Sequence, residues 1–166
     1  MPILNADVFE FFSRSPEQTR RIGMRLGDLM RSGDIICLSG DLGAGKTTLV
    51  QGITRGWGST DEATSPTFVL VNTYRRSDGN VLNHLDAYRL QDALEAEALD
   101  LDMLIEAGPL VVEWPERILA ALPESNLWIA MDWVADEHRR MLFTPHGEPY
   151  AKKLELLKTS TVKGFE

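Results

Sequence analysis

Short apolar runs and helically spaced apolar residues alternate along the chain, and this alternation predicts strands and helices in turn. Strands are expected at 8–12, 34–39, 68–74, 81–86 and 110–114, followed by a hairpin of 127–134 with 140–144. Helices are expected from Ser15, as the N-cap, to Gly33, and at 46–55, 92–98, 102–107 and 148–158. The order of these elements predicts an α/β fold, in which helices cover a mixed sheet that carries antiparallel hairpins.

The bulk composition limits the classes of protein to which the chain can belong. Its 166 residues fit a single domain, 1–166, in which the tail 145–166 matches no motif. The formal net charge of −8 argues against broad contact with nucleic acid, because each phosphate contact favours a cation. No apolar run approaches the ~20 residues that span a bilayer, and the N-terminus lacks the features of a signal peptide. The single cysteine, Cys37, lies within a predicted strand and cannot form an internal disulfide, so we expect a cytoplasmic protein.

One motif carries specific chemistry. It matches G-x-x-x-x-G-K-[ST] without a mismatch, between a predicted strand and a predicted helix: Gly40, Asp41, Leu42, Gly43, Ala44, Gly45, Lys46, Thr47. In such a phosphate-binding loop (P-loop) the glycines let backbone N–H groups point at phosphate oxygens, and the helix N-terminus favours the same anion. Lys46 is expected to reach the β- and γ-phosphates, the Thr47 hydroxyl to ligate Mg²⁺, and Thr48 to approach the α-phosphate. The chain has no N-K-x-D motif for guanine, so ATP is the predicted nucleotide.

Two acidic residues stand where predicted strands end. P-loop chemistry needs a carboxylate near Mg²⁺ and a group that orients the attacking water. Glu113 closes an apolar strand before a Trp-Pro pair, and Asp86 closes the preceding strand in the same way. We expect one or both of them to touch Mg²⁺ directly or through water. His84 shares a strand face with Asp86 and is equally well explained by a structural role, while Trp114 either lines the nucleotide pocket or simply packs.

A short loop rich in hydroxyl groups follows the predicted P-loop helix. It consists of Thr64, Ser65, Pro66, Thr67 and Phe68. Hydroxyl groups beside a rigid proline suit a switch segment that senses the γ-phosphate. By composition alone, however, the same residues are a loop that enters a strand.

Four motifs therefore occur in order: the P-loop with Thr48, the segment 64–68, His-Leu-Asp-Ala-Tyr-Arg-Leu at 84–90, and Val-Glu-Trp-Pro-Glu at 112–116. In this order they resemble the TsaE family, formerly YjeE, the bacterial ATPases of threonylcarbamoyladenosine synthesis on tRNA. The similarity runs from about residue 11 to residue 144. The resemblance implies a P-loop NTPase-like three-layer fold and ATP hydrolysis with Mg²⁺. It also implies action with TsaD and TsaB, which transfer threonylcarbamoyl to adenosine 37 of tRNAs reading ANN codons.

The resemblance also implies roles for individual residues. Lys46 and Thr47 would hold phosphate and Mg²⁺, while Asp86 and Glu113 would serve Mg²⁺ and the attacking water. The segment 64–68 would act as the switch loop.

Contacts with the rest of the nucleotide are implied in the same way. Trp114 would approach the nucleotide, and Ser13, at the end of the first strand, would touch adenine. Whether Arg139 or Arg140 of the last hairpin contacts phosphate is left open. The tRNA would be held by TsaD and TsaB, which agrees with the acidic net charge of this chain.

Two other functions are compatible with a P-loop chain of this size. A small-molecule kinase would need an acceptor pocket and an arginine-bearing lid, yet the arginine pairs at 20–21, 75–76 and 139–140 lie in no long insertion. A nucleotide-sensing module without turnover would bind ATP, and no partner would stimulate its hydrolysis.

Overall fold

The computed structural model describes residues 7–63 and 70–164, and its strands form one seven-stranded sheet. The strands are β1 (Phe9–Ser13), β2 (Ile35–Ser39), β3 (Val71–Arg75), β4 (Val81–Asp86), β5 (Leu110–Glu113), β6 (Asn126–Ala135) and β7 (His138–His146). The helices are α1 (Pro16–Leu29), α2 (Lys46–Trp57), α3 (Ala93–Glu97), α4 (Leu101–Ala107) and α5 (Glu148–Gly164). A 3₁₀ helix, which was not predicted, spans Pro115–Ala121.

The sheet has a parallel centre and antiparallel edges. Its strand order is β1-β7-β6-β2-β5-β4-β3, in which β2 runs parallel to β5 and β6, and β4 runs parallel to β5. On one side β3 is antiparallel to β4, and on the other β7 is antiparallel to both β6 and β1. The predicted α/β fold with a mixed sheet and antiparallel hairpins is confirmed. The carboxyl ends of the parallel strands meet at one edge, where ligands bind in sheets of this kind.

Helices cover both faces of the sheet, which gives three layers. On one face α1, α2 and α5 bury apolar residues such as Leu49 and Leu154. On the other face α3, α4 and the 3₁₀ helix bury residues such as Ala96 and Ile118. Burial of a leucine or isoleucine contributes roughly 1.5–3 kcal/mol, so both layers stabilise the central strands.

Two pairs of glycines allow α1 and α2 to pack closely. Gly23 and Gly27 lie one turn apart on α1, and Gly52 and Gly56 lie one turn apart on α2. A Cβ atom built at any of the four would lie 1.9–2.6 Å from a backbone oxygen of the opposite helix. This contact sets the position of α2, whose first residues belong to the P-loop motif.

Helix α1 ends at Leu29, earlier than the predicted end at Gly33. The next residue, Met30, is extended, with φ of −74° and ψ of 141°. Asp34 closes a turn here, because its carboxylate accepts a hydrogen bond from the Arg31 backbone N–H at 2.7 Å. A local bond from an aspartate side chain competes with continuation of a helix, which explains the early end.

The tail is part of the core. Helix α5 starts where it was predicted but continues to Gly164 instead of ending near 158. Tyr150 and Leu157 are buried, and the Tyr150 hydroxyl accepts a hydrogen bond from the Ile35 backbone N–H at 2.8 Å. The tail therefore holds the first residue of β2, the strand that leads into the P-loop.

The strand expected at 68–74 is observed as β3, from Val71 to Arg75, and residues 68–69 lie outside the described residues. None of the described helices combines the length and the apolar character needed to cross a bilayer.

Candidate functional site

The P-loop connects β2 to α2 and has the backbone conformation that its glycines permit. Gly40, Gly43 and Gly45 have φ of 151°, 83° and 98°, values that L side chains rarely adopt. At Gly40 the loop also approaches β6, since a Cβ atom there would lie 2.5 Å from the Met131 carbonyl oxygen. Helix α2 begins at Lys46, so its N-terminus lies at the carboxyl edge of the parallel strands, in the arrangement that binds phosphate.

The Lys46 side chain lies between the P-loop and the neighbouring strand ends. Its Nζ donates a hydrogen bond to the Gly40 carbonyl oxygen at 2.5 Å and lies 4.0 Å from the centre of the Trp114 ring. Burial lowers the pKa of Lys46, and the charges of Glu113 and Asp86 oppose that decrease. The ammonium group therefore lies over the aromatic ring predicted for the site and within electrostatic range of both predicted acids.

Asp86 and Glu113 are the last residues of adjacent parallel strands and are paired in register. Glu113 is 4% exposed, whereas Asp86 is half-buried and accepts a hydrogen bond from the Tyr88 backbone N–H at 2.9 Å. Burial raises the pKa of Asp86; the Tyr88 hydrogen bond opposes this increase, and the Glu113 charge adds to it. Two carboxylates side by side at one edge of the sheet are a suitable pair for a divalent cation, whose charge would offset theirs.

The chemistry of the predicted metal ligands fits Mg²⁺ shared with a phosphate ligand. Within 7–63 and 70–164 there is no group of three or more His, Cys, Asp or Glu residues that could hold a metal ion. The predicted set, Thr47, Asp86 and Glu113, consists of one hydroxyl and two carboxylates. Mg²⁺ is usually bound by one or two carboxylates together with waters and substrate phosphates, so an all-protein cage is not required.

His84 is fully buried and bonded to one of these carboxylates. Its Nε2 lies 2.7 Å from Oε2 of Glu113, and the two side chains are 0% and 5% exposed. The Tyr74 hydroxyl lies 3.4 Å from Nδ1 on the other side of the ring. The sequence was compatible with either a structural or a functional role for this histidine, and the structure places it in contact with a residue of the site.

An aromatic pair borders the site beside Lys46. Trp114 follows β5 with φ of 57°, and its ring lies 5.0 Å from the Tyr88 ring at an interplanar angle of 53°. The Arg117 guanidinium lies 5.1 Å from the centre of the Tyr88 ring. Trp114 was predicted from the sequence, whereas Tyr88 was not. Trp114 directly follows Glu113, and Tyr88 lies two residues after Asp86.

The two arginines of the last hairpin have different surroundings. Arg140 pairs with Glu10 of β1 at 2.7 Å. Arg139 lies beside the P-loop, where its Nε is 3.6 Å from the position of a Cβ atom built on Gly45. Its Nη1 donates to two carbonyl oxygens of its own hairpin, whereas Nε is buried and has no hydrogen-bond partner within the described part of the chain. A buried donor needs an acceptor, and an anionic ligand on the P-loop would supply one.

The remaining predicted residues differ in how the structure places them. Ser13 is 1% exposed, and its hydroxyl lies 2.8 Å from the Ser15 carbonyl oxygen and 2.7 Å from the Thr19 hydroxyl, so it is engaged at the start of α1. Its contact with adenine stays a prediction. Thr48 is half-buried in the first turn of α2. The predicted switch segment, 64–68, lies outside the described residues.

Comparisons with known proteins agree on one family. The family model of the threonylcarbamoyl adenosine biosynthesis protein TsaE matches residues 13–141. A tRNA threonylcarbamoyladenosine biosynthesis protein TsaE of Streptomyces coelicolor is 44% identical over 138 residues, which cover 80% of this chain and 93% of the relative. The protein of the same name from Bacillus subtilis is 38% identical over 145 residues, which cover 86% and 89%. The crystal structure of Bacillus subtilis YdiB matches with a TM-score of 0.77 and 31% identity, over 93% of this chain and 96% of that one.

Proposed function

Since this chain belongs to the TsaE family, whose members are P-loop NTPase-like proteins of tRNA threonylcarbamoyladenosine biosynthesis, we propose that it hydrolyses ATP within that machinery. The modification would be N6-threonylcarbamoyladenosine at position 37 of tRNAs reading ANN codons. The observation that carries hydrolysis is the position of the Asp86 and Glu113 carboxylates. They end adjacent parallel strands at the edge of the sheet where β2 leads into the P-loop and Lys46. Phosphate binding needs only the loop and the lysine, whereas the carboxylates are the groups that hydrolysis requires.

The P-loop and two cationic side chains would bind the triphosphate. Backbone N–H groups of the loop and the N-terminus of α2 point to phosphate binding at the carboxyl edge of the sheet. Lys46 would exchange the Gly40 carbonyl oxygen for oxygens of the β- and γ-phosphates. The buried Nε of Arg139, next to Gly45, would donate to the same ligand. Trp114 would border the nucleotide on the side of Lys46.

The two strand-end carboxylates would bind the cation and orient the attacking water. Mg²⁺ bound by Thr47, Asp86 and Glu113, directly or through water, would offset the negative charge of the phosphates. Glu113 is buried and held on one oxygen, so it is suited to accept a hydrogen bond from an attacking water in a fixed direction. The segment 64–68 would respond to the γ-phosphate as a switch.

Partner subunits would carry the tRNA and the acyl transfer. We assign this role to TsaD and TsaB, with ATP hydrolysis by this chain resetting their complex between turnovers in the cytoplasm. A formal net charge of −8 suits a chain that meets tRNA only indirectly, because direct binding would need a cationic surface.

ATP hydrolysis by the purified chain with Mg²⁺, alone and with a TsaD–TsaB heterodimer, tests the proposal. We expect weak activity from the chain alone and a strong rise when the heterodimer is added. Lys46→Ala should abolish tight ATP binding and hydrolysis, because Lys46 is the one cationic residue within the P-loop motif at 40–47. Lys152→Ala is the matched control, since Lys152 is exposed on α5.

Two results would contradict the proposal in different ways. ATP binding without hydrolysis, both alone and with the heterodimer, would leave a nucleotide-sensing module. Transfer of the γ-phosphate to a small acceptor would indicate a kinase.

A further inference from the structure

A hydrogen bond joins the two strands that carry the acidic residues of the site. Asp86 of β4 pairs in register with Glu113 of β5. His84 lies two residues before Asp86, so its side chain leaves β4 on the same face as the two acids. On that face Nε2 of His84 reaches Oε2 of Glu113 at 2.7 Å.

Burial makes this bond important for the Glu113 carboxylate. The two side chains are 0% and 5% exposed, so bulk water does not compete freely for Oε2. A carboxylate only accepts hydrogen bonds, and Nε2 must therefore carry the proton that is shared. A buried charged group is unfavourable when unpaired. Without this donor the carboxylate would therefore rotate toward another hydrogen-bond donor or bind a water molecule that enters the site.

The other side of the imidazole ring is also held. The Tyr74 hydroxyl lies 3.4 Å from Nδ1 of His84, and the Asn72 amide nitrogen lies 3.5 Å from that hydroxyl. A hydroxyl that donates to Nδ1 favours the ring form in which Nε2 bears the proton. A line of side chains thus runs from β3 through β4 to Glu113 on β5.

We propose that His84 is a positioning residue for ATP hydrolysis, which holds Oε2 of Glu113 so that the carboxylate keeps one orientation toward the attacking water or Mg²⁺. The proposal rests on the proposed function, since it requires Glu113 to act in hydrolysis. Loss of a bond that orients a metal-site carboxylate typically costs about 10- to 100-fold in activity. The loss should fall on kcat and not on affinity for ADP, because the P-loop and Lys46 would hold the phosphates without His84.

A mutant cycle on the partner-stimulated ATPase tests this role. Its members are His84→Leu, Glu113→Gln and the double variant, with His84→Gln as a rescue, since a glutamine amide can donate to Oε2 from a similar position. We expect His84→Leu to lower kcat by about 10- to 100-fold while the Kd for ADP, measured without Mg²⁺, changes by less than about threefold. His84→Gln should recover most of kcat. The double variant should be no slower than Glu113→Gln, because the histidine acts through the glutamate.

The outcomes separate this proposal from the proposed function. A wild-type kcat in His84→Leu, or losses that multiply in the double variant, would overturn the positioning role while Glu113 keeps its own. A wild-type kcat in Glu113→Gln would remove the role of the carboxylate, and the role of His84 with it.

A spectroscopic measurement keeps the proposal testable should His84→Leu fail to fold. The chain has three histidines, and His138 and His146 are exposed. In a His138→Gln/His146→Gln chain, long-range ¹H–¹⁵N correlation reports on His84 alone. We expect a protonated Nε2, and an unprotonated Nε2 would overturn the proposal.

Discussion

Replacement of Gly27 by alanine should destabilise the fold and weaken nucleotide binding together, because this glycine sets the distance between α1 and α2. A Cβ atom at Gly27 would lie 2.0 Å from the Ile53 carbonyl oxygen and 2.8 Å from the Trp57 backbone nitrogen. Ordinary contacts begin at 3.4 Å, so the helices would have to separate by about 1.4 Å. Both neighbours are backbone atoms, and no change of side-chain rotamer can relieve the clash.

The free energy of unfolding should fall by about 2 kcal/mol. An extra carbon in a packed site costs about 1–3 kcal/mol, and the rigid backbone neighbours place Gly27 at the upper end of that range. Alanine offsets about 1 kcal/mol of this cost, because it is the better helix former. For a chain of this size, a decrease of about 2 kcal/mol corresponds to a Tm lower by about 4–8 °C.

Urea denaturation followed by circular dichroism measures the stability, and titration with a fluorescent ADP analogue measures the affinity. The affinity should fall because α2 begins at Lys46, so a displaced α2 moves the phosphate-binding residues. Asp28→Ala is the matched control: Asp28 is the next residue, is exposed, and should change the stability by less than about 0.5 kcal/mol. An unfolding midpoint of Gly27→Ala equal to or above that of the wild-type chain would refute the close-packing explanation.

Two further predictions concern single side chains. Arg139→Met should weaken ADP binding by at least about tenfold, since a hydrogen bond to a charged group contributes roughly 1.5–3 kcal/mol and about 1.4 kcal/mol is a factor of ten. Arg140→Met, which removes the ion pair with Glu10, should bind ADP normally, and equal Kd values for the two variants would contradict the role of Arg139. Burial raises the pKa of the Cys37 thiol to about 12, so it should stay protonated and resist iodoacetamide at about pH 8 until urea unfolds the chain. Mass spectrometry that finds Cys37 alkylated in the native chain would contradict this.

The chemical centre of the site was predictable because its residues end strands of one parallel sheet. The G-x-x-x-x-G-K-[ST] motif lies between a strand and a helix, which places Lys46 at the carboxyl edge of that strand. Asp86 and Glu113 close two further apolar strands. The carboxyl ends of parallel strands meet at the same edge, so local pattern and topology together predict that the three side chains converge.

Features that depend on how elements pack were not predictable in the same way. In the sequence, Gly23 and Gly27 are merely weak helix formers. The close contact of α1 with α2 that they allow is seen only in the folded structure. Adjacent strand residues point to opposite faces of the sheet, so Arg139 and Arg140 could not both lie beside the P-loop. Which of the two lies there depends on the pairing of β7 with β1 and β6.

The register of β5 decides whether His84 contacts an acidic residue. Its spacing from Asp86 fits both a packing role and a role in the site, so the sequence of β4 cannot separate them. Glu113 is aligned by two neighbours, since it pairs with Asp86 on one side and with Leu38 of β2 on the other. A slip of β5 by one residue would turn Glu113 to the opposite face of the sheet, away from both His84 and Asp86. The geometry proposed for hydrolysis therefore depends on a long-range alignment of three strands, which no local pattern encodes.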